Sequence, residues 1–103
     1  MASLVIAILD IVRLYYGKHF DEDSVSYNRF VKHLQYFAQR VLNGQVQGSN
    51  DSFLFEQVKL NYPEAYKCTE KIKDYLRTTF DFKMSSDEQV YLTIHIQRLY
   101  NSN

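Results

Sequence analysis

Helix breakers are nearly missing from this chain. Its 103 residues hold three glycines and one proline, standing apart at Gly17, Gly44, Gly48 and Pro63. Between these marks apolar residues recur every three or four positions, the spacing of a helix with one buried face. A sequence of this kind has few options other than a series of helices that stop where the breakers stand.

Five helical segments follow. Residues 3–17 place Leu4, Val5, Ile8, Leu9, Ile11, Val12, Tyr15 and Tyr16 around most of a helix, too apolar for a free surface helix, with Gly17 as its C-cap. Asp21-Glu22-Asp23-Ser24 supplies capping oxygens and negative charge for a second helix over residues 25–42. Asn43-Gly44 ends it, and the polar stretch from Gln45 to Asp51 is expected to be the most mobile part of the chain. A short third helix over 52–60 presents Phe53, Leu54, Val58 and Leu60; Pro63 opens a fourth, over 63–79, with Ala65, Cys68, Ile72, Leu76 and Phe80 inward. After the linker Asp81-Phe82-Lys83-Met84, Ser85 and Glu88 fit a capping box at the start of a fifth helix over 86–100. With no repeat and no linker-like break, the expectation is an all-α bundle in one domain covering residues 1–103.

Charge and cysteine content exclude several classes of function. Twelve basic residues balance twelve acidic ones, so the chain lacks the positive field of a nucleic-acid binder. Even the lysine-rich stretch from Lys67 to Arg77 interleaves Glu70 and Asp74, as a solvated helix face does. The single Cys68 forbids an intrachain disulfide, suits a reducing compartment and reads as a small core residue. The apolar run from Leu4 to Leu9 is far too short to span a bilayer and has no basic start, so a cytoplasmic location without membrane insertion is the expectation.

Two histidines in apolar helical surroundings carry the chemistry. At about 100° per residue, Arg29, His33, Tyr36 and Arg40 fall within about 60° of one another. They form a polar stripe opposite Phe30, Val31, Leu34, Phe37, Ala38 and Val41. Imidazole is a titratable nucleophile near neutral pH, and the guanidinium fork suits phosphate oxygens. The stripe is therefore a place where His33 could accept a phosphoryl group, with Arg29 and Arg40 as candidate phosphate contacts. Equally, a lone helical histidine is commonly a satisfied core or surface residue and paired arginines a solvated face; pattern alone leaves both readings open. His95 stands in the fifth helix with Tyr91, Leu92, Ile96 and Leu99. His19, in Gly17-Lys18-His19-Phe20, reads as an exposed loop residue. No His/Cys pair has zinc-motif spacing, and a His-Asp hydrolase would lack a nucleophile motif, so neither a metal site nor a catalytic residue is expected.

Three stretches, RFVKHLQYFAQR at 29–40, NYPEAYKC at 61–68 and DEQVYLTIHIQR at 87–98, stand in the order and spacing of three landmarks of one family. From about Leu4 to Arg98 the chain resembles the phosphotransferase-system regulation domain, or PRD, of BglG/LicT/SacY-type transcriptional antiterminators, and most of all the second of their two tandem copies. The resemblance implies a five-helix bundle whose second and fifth helices pack antiparallel, bringing His33 and His95 together across 62 positions of sequence. It implies that both are phosphoacceptors, served by the phosphocarrier protein HPr or by sugar-specific permease components. It further implies a homodimeric regulator that is no enzyme and needs no cofactor. Phosphorylation would switch dimerisation and so control RNA binding and the expression of sugar-utilisation genes. Tyr36, Tyr91 and Leu92 would form the rim of the site. RNA contact would belong to an N-terminal module that, like the first PRD copy, this sequence does not contain, as in an excised second PRD. Two other readings stay open: a PRD from a DNA-bound transcriptional activator of the same systems, and a tyrosine-rich helical dimerisation module that is never phosphorylated.

Overall fold

The computed structural model describes residues 2–50 and 52–102; Met1, Asn103 and Asp51, the last of these the end of the expected mobile stretch, lie outside the described residues. Five helices follow in order: α1 (Ala2–Tyr16), α2 (Val25–Leu42), α3 (Ser52–Asn61), α4 (Pro63–Phe80) and α5 (Ser86–Asn101), with no strand among the described residues. The second helix has the expected bounds; the first is shifted by one residue at both ends, and the other three run one residue longer at their C-terminal ends.

Each boundary has a local cause. Gly17 and Gly44 adopt φ of 65° and 68°, the left-handed conformation in which glycine meets no steric penalty, and close α1 and α2. The Ser24 side chain accepts a hydrogen bond from the Tyr27 amide at 3.1 Å and starts α2. At the end of α4 the left-handed position is taken by Asp81, φ 53°, whose amide donates to the Arg77 carbonyl, while the Phe82 amide reaches back six residues to that of Leu76. That turn sends the chain off extended, so Phe82 and Met84 enter the core while Asp81 and Lys83 stay exposed.

One core joins α1, α2, α4 and α5. Leu4, Ile8 and Val12 of α1 meet Phe30, Leu34 and Phe37 of α2, Ala65, Cys68, Ile72 and Leu76 of α4, and Leu92, Ile96 and Leu99 of α5. Phe80, expected inward, packs against this core half-buried. The α4–α5 contact is the most extensive. A polar pair lies inside it, Thr69 and Thr93, whose hydroxyl oxygens are 2.7 Å apart. Both hydroxyls also sit within reach of carbonyls one turn earlier, those of Ala65 and Gln89, so neither buried oxygen is left without a partner. Helix α3 leans on α4 and α5 but, among the described residues, buries only Val58, leaving Phe53, Leu54 and Leu60 exposed. Its apolar residues do not share one face, so a ten-residue helix cannot turn all of them inward.

Helices α2 and α5 run antiparallel. Going up α2 from Phe30 through His33 to Arg40, the α5 partners descend from His95 through Tyr91 to Glu88. The fold thus has the arrangement that brings the two histidines onto one surface.

Candidate functional site

The stripe on α2 has a counterpart on α5. Reading α2 forward gives Arg29, His33, Tyr36 and Arg40, at intervals of four, three and four; reading α5 backward gives Arg98, His95, Tyr91 and Glu88, at intervals of three, four and three. Because the helices are antiparallel, the two series lie along each other. Phe30, Leu34, Phe37, Ala38 and Val41 of α2 and Leu92, Ile96 and Leu99 of α5 turn away into the core, which fixes the histidines on the outer side of the α2–α5 seam.

Three rings make the centre. The imidazoles of His33 and His95 stack with centroids 4.8 Å apart and planes 16° from parallel. The Tyr91 ring lies 4.4 Å from His33 and 4.7 Å from His95. Phe37 backs His33, and Phe30 backs His95, each at 6.3 Å. Both imidazoles are half-buried. Burial, the neighbouring His95 and the Arg40 guanidinium push the His33 pKa down to about 4. Burial, then Arg98 and Arg29, lower that of His95 as well. Both rings are therefore neutral at physiological pH, with an unprotonated nitrogen available. No hydrogen bond holds either ring among the described residues.

The two histidines open onto different clefts. His33 lines a cavity of about 410 Å³ with Tyr36, Arg40, Gln47, Gly48, Asp87, Glu88 and Tyr91. His95 lines one of about 730 Å³ with Arg29, Leu54, Val90, Ile94 and Arg98, and Tyr91 and Asp87 border both. Tyr36 and Tyr91 are exposed, as a rim requires, but Leu92, expected beside them, is only 1% exposed and belongs to the core.

Arg29 and Arg40, both expected near a phosphate, are in different situations. Arg29 is exposed and has no ion pair among the described residues. Arg40 is held by Glu88: its Nη2 donates to Oε2 at 3.0 Å and to Oε1 at 3.2 Å, and its Nε donates to Oε1 at 3.3 Å. This corrects the reading of Glu88 as half of a capping box. Ser85 does cap α5, its Oγ accepting from the Glu88 amide at 3.1 Å, but the Glu88 carboxylate spans to Arg40 instead of turning back to its own helix start.

The polar stretch expected to be mobile closes one wall of the site. The Gln47 carbonyl accepts from Ser85 Oγ at 2.7 Å, Asp87 Oδ2 accepts from the Ser49 amide at 2.7 Å, and the Asn50 side chain accepts from the Ser86 amide at 2.9 Å. Its composition is that of a loose loop, and hydrogen bonds to the first turn of α5 tie it down.

Arg98 was not singled out as a site residue, nor were Glu88 and Asp87. The signal for Arg98 and Glu88 was present: they stand three after and seven before His95, the helical spacings at which Tyr36 and Arg40 stand from His33. Asp87 carried no such signal, because its role depends on a loop contact 38 residues distant. His19 is exposed, away from the site, and Cys68 lies in the core. No cluster of metal-ligating side chains occurs among the described residues, and no described helix is long and apolar enough to cross a membrane.

Comparison with known proteins agrees with this architecture. Residues 7–99 match the family model of the PRD domain. The chain is similar to the transcription antiterminator LicT of Bacillus subtilis, 48% identical over 92 residues, which are 89% of this chain and 33% of that protein. It is 40% identical over 92 residues to the beta-glucoside operon antiterminator of Dickeya chrysanthemi, covering 89% of this chain and 32% of that protein. A GlcA/glcB genes antiterminator of Staphylococcus carnosus is 31% identical over 83 residues, 81% of this chain and 29% of the relative. The chain thus spans about a third of the length of the relatives it matches, all of them named as regulators of transcription rather than as enzymes. By its family match and its five-helix bundle, the chain belongs to the PRD family.

Proposed function

We propose that this chain is the phosphorylation-controlled regulatory domain of a transcriptional antiterminator, with His33 and His95 accepting phosphoryl groups from HPr or a sugar permease component of the phosphotransferase system. One observation carries the reading: two neutral imidazoles stacked at 4.8 Å, each bordering an open cleft that also holds arginine. An incoming phosphoryl group brings about −1.5 to −2 charges by analogy with phosphorylated hydroxyl residues. The guanidinium groups on this surface supply the opposite charge, and the depressed pKa values keep the nucleophilic nitrogens free of protons. Because the donor already carries an activated phosphohistidine, the domain needs to position and stabilise rather than to activate. The added charge on an aromatic rim then alters how two copies pack, which is how a domain without RNA contacts of its own reaches an RNA-binding module elsewhere in a longer protein.

The test is direct. Incubation with phosphorylated HPr should place acid-labile phosphate on His33, His95 or both. Changing both to Ala should abolish the label, and His19→Ala should leave it nearly intact. Label surviving in the double variant would show that other residues are the acceptors.

A further inference from the structure

The antiparallel stripes end differently. At one end Arg40 faces Glu88, and their charges cancel. At the other, Arg29 and Arg98 line the same cleft as His95, both exposed and neither in an ion pair among the described residues. Asp87 borders both clefts, but its Oδ2 is occupied by the Ser49 amide and hydroxyl at 2.7 and 3.2 Å. The two imidazoles, 4.8 Å apart, thus sit beside arginines in different states, a paired one at His33 and two unpaired ones at His95.

Taking His33 and His95 as phosphoacceptors, the reading on which this rests, we infer that they are unequal ones: His95, between Arg29 and Arg98, is the position that fills first and keeps its phosphate. At His33 the Glu88 carboxylate already occupies the fork of Arg40 and holds a phosphate off. Arg98 and Glu88 are therefore specificity-determining residues.

Glu88 is a built-in competitor. A carboxylate presents two oxygens to a guanidinium fork much as a phosphate does, and it already engages Arg40 through three contacts of 3.0 to 3.3 Å. Its side chain is only 5% exposed, so a phosphate that took Arg40 would strand a buried, unpaired carboxylate. Occupying His33 is coupled to withdrawal of Glu88 from Arg40. Occupying His95 breaks no existing pair, and two guanidinium charges oppose the roughly two negative charges that arrive. The two arginines come from different helices, four positions before His33 on α2 and three after His95 on α5, so a phosphate between them also clamps the seam.

The transfer balances without a co-reactant. The lone pair of the unprotonated His95 nitrogen forms the new P–N bond as the donor's P–N bond breaks, its electron pair returning to the donor imidazole nitrogen. The proton on the far nitrogen of each ring stays in place, so one imidazole replaces another.

The experiment maps phosphate by 31P NMR and mass spectrometry after reaction with two donors, phosphorylated HPr and the small donor phosphoramidate, which removes any contribution of protein docking. Wild-type label should reside chiefly on His95 with both donors. Arg98→Ala should lower His95 occupancy by about tenfold, the size of one lost charged hydrogen bond, while Arg98→Lys should recover part of it. Glu88→Gln should raise the His33 share several-fold, with far-ultraviolet circular dichroism confirming an intact helical fold. Should that buried substitution unfold the domain, the exposed Arg98 variants carry the test alone. Equal filling of both histidines, unmoved by these changes, overturns the inference and leaves the acceptors intact. Absence of label from either donor overturns the phosphoacceptor reading, and this inference with it.

Discussion

His33 loses proton affinity to burial first, and then to its neighbours His95 and Arg40, which is why its pKa falls from 6.5 to about 4. In the unfolded chain the ring recovers its ordinary value. Between pH 6.5 and about 4 the unfolded state then binds a proton that the folded state does not. Stability from this group is complete above about 6.5 and declines as the pH falls through that window, by about 2 kcal/mol after allowing for the ring's residual contact with water. Thermal unfolding followed between pH 7 and 4 should show the decline, and the His33 imidazole resonances should titrate near 4; a midpoint near 6.5 would contradict the packing described. Arg40 and Glu88 make a second residue-scale case. Removing Arg40 alone leaves a carboxylate that is 5% exposed without its partner. Arg40→Ala should therefore cost about 2–4 kcal/mol in urea unfolding, whereas replacing both by apolar residues of similar volume should cost far less. Equal losses in the single and double variants would mean that desolvation is not what the pair relieves.

At the scale of elements, the start of α5 is anchored twice, by Arg40 of α2 and by the segment before α3. Gly48 is the tight point of that second anchor. Its φ is 88°, and a Cβ placed there would lie 2.6 Å from the Asp87 Cβ, an atom that cannot swing aside without moving the helix. Gly48→Ala should cost about 1–3 kcal/mol and speed amide hydrogen exchange at Ser49, Ser86 and Asp87 ahead of the core amides. Unchanged exchange there would show that the segment anchors nothing. This element also marks where sequence reading stops. The helices were legible because their signals are local: Ser24, Gly17, Gly44 and Pro63 act within a turn of where they stand. So were both histidines and Arg29, which lie within one stripe or one landmark. The tethering of residues 47–50 was not, since it joins backbone groups to side chains 36 to 38 positions away. Nor could periodicity show that Glu88 would leave its own helix cap for Arg40, a choice made only when α2 and α5 meet.

For the whole molecule, the question is how a charge on one surface changes assembly. Tyr36 and Tyr91 leave aromatic area on the rim of the site, 58% and 54% exposed, with Leu54 beside it at 47%. If this surface meets its mate across a two-fold axis, each site is brought toward the other, and new charge acts by favouring one packing over another. His33→Asp and His95→Asp should shift the monomer–dimer balance by about 1–3 kcal/mol, as regulatory couplings do, and Arg29→Ala or Arg98→Ala should blunt the His95→Asp effect. Sedimentation across a concentration series is the measurement, and superimposable association curves for wild type and both mimics would remove the dimer switch. Cys68, finally, has a consequence of a different kind. Its thiol is fully buried among α1, α2, α4 and α5, and burial pushes its pKa up to about 12. Thiolate is the reactive form, so a thiol reagent reaches this sulfur only when the bundle opens. In a chain with no tryptophan and no second cysteine, the molecule carries its own clock: the rate at which Cys68 is alkylated counts openings of the bundle, and slower alkylation after phosphorylation would register tightening of the seam through a core atom outside the histidine site.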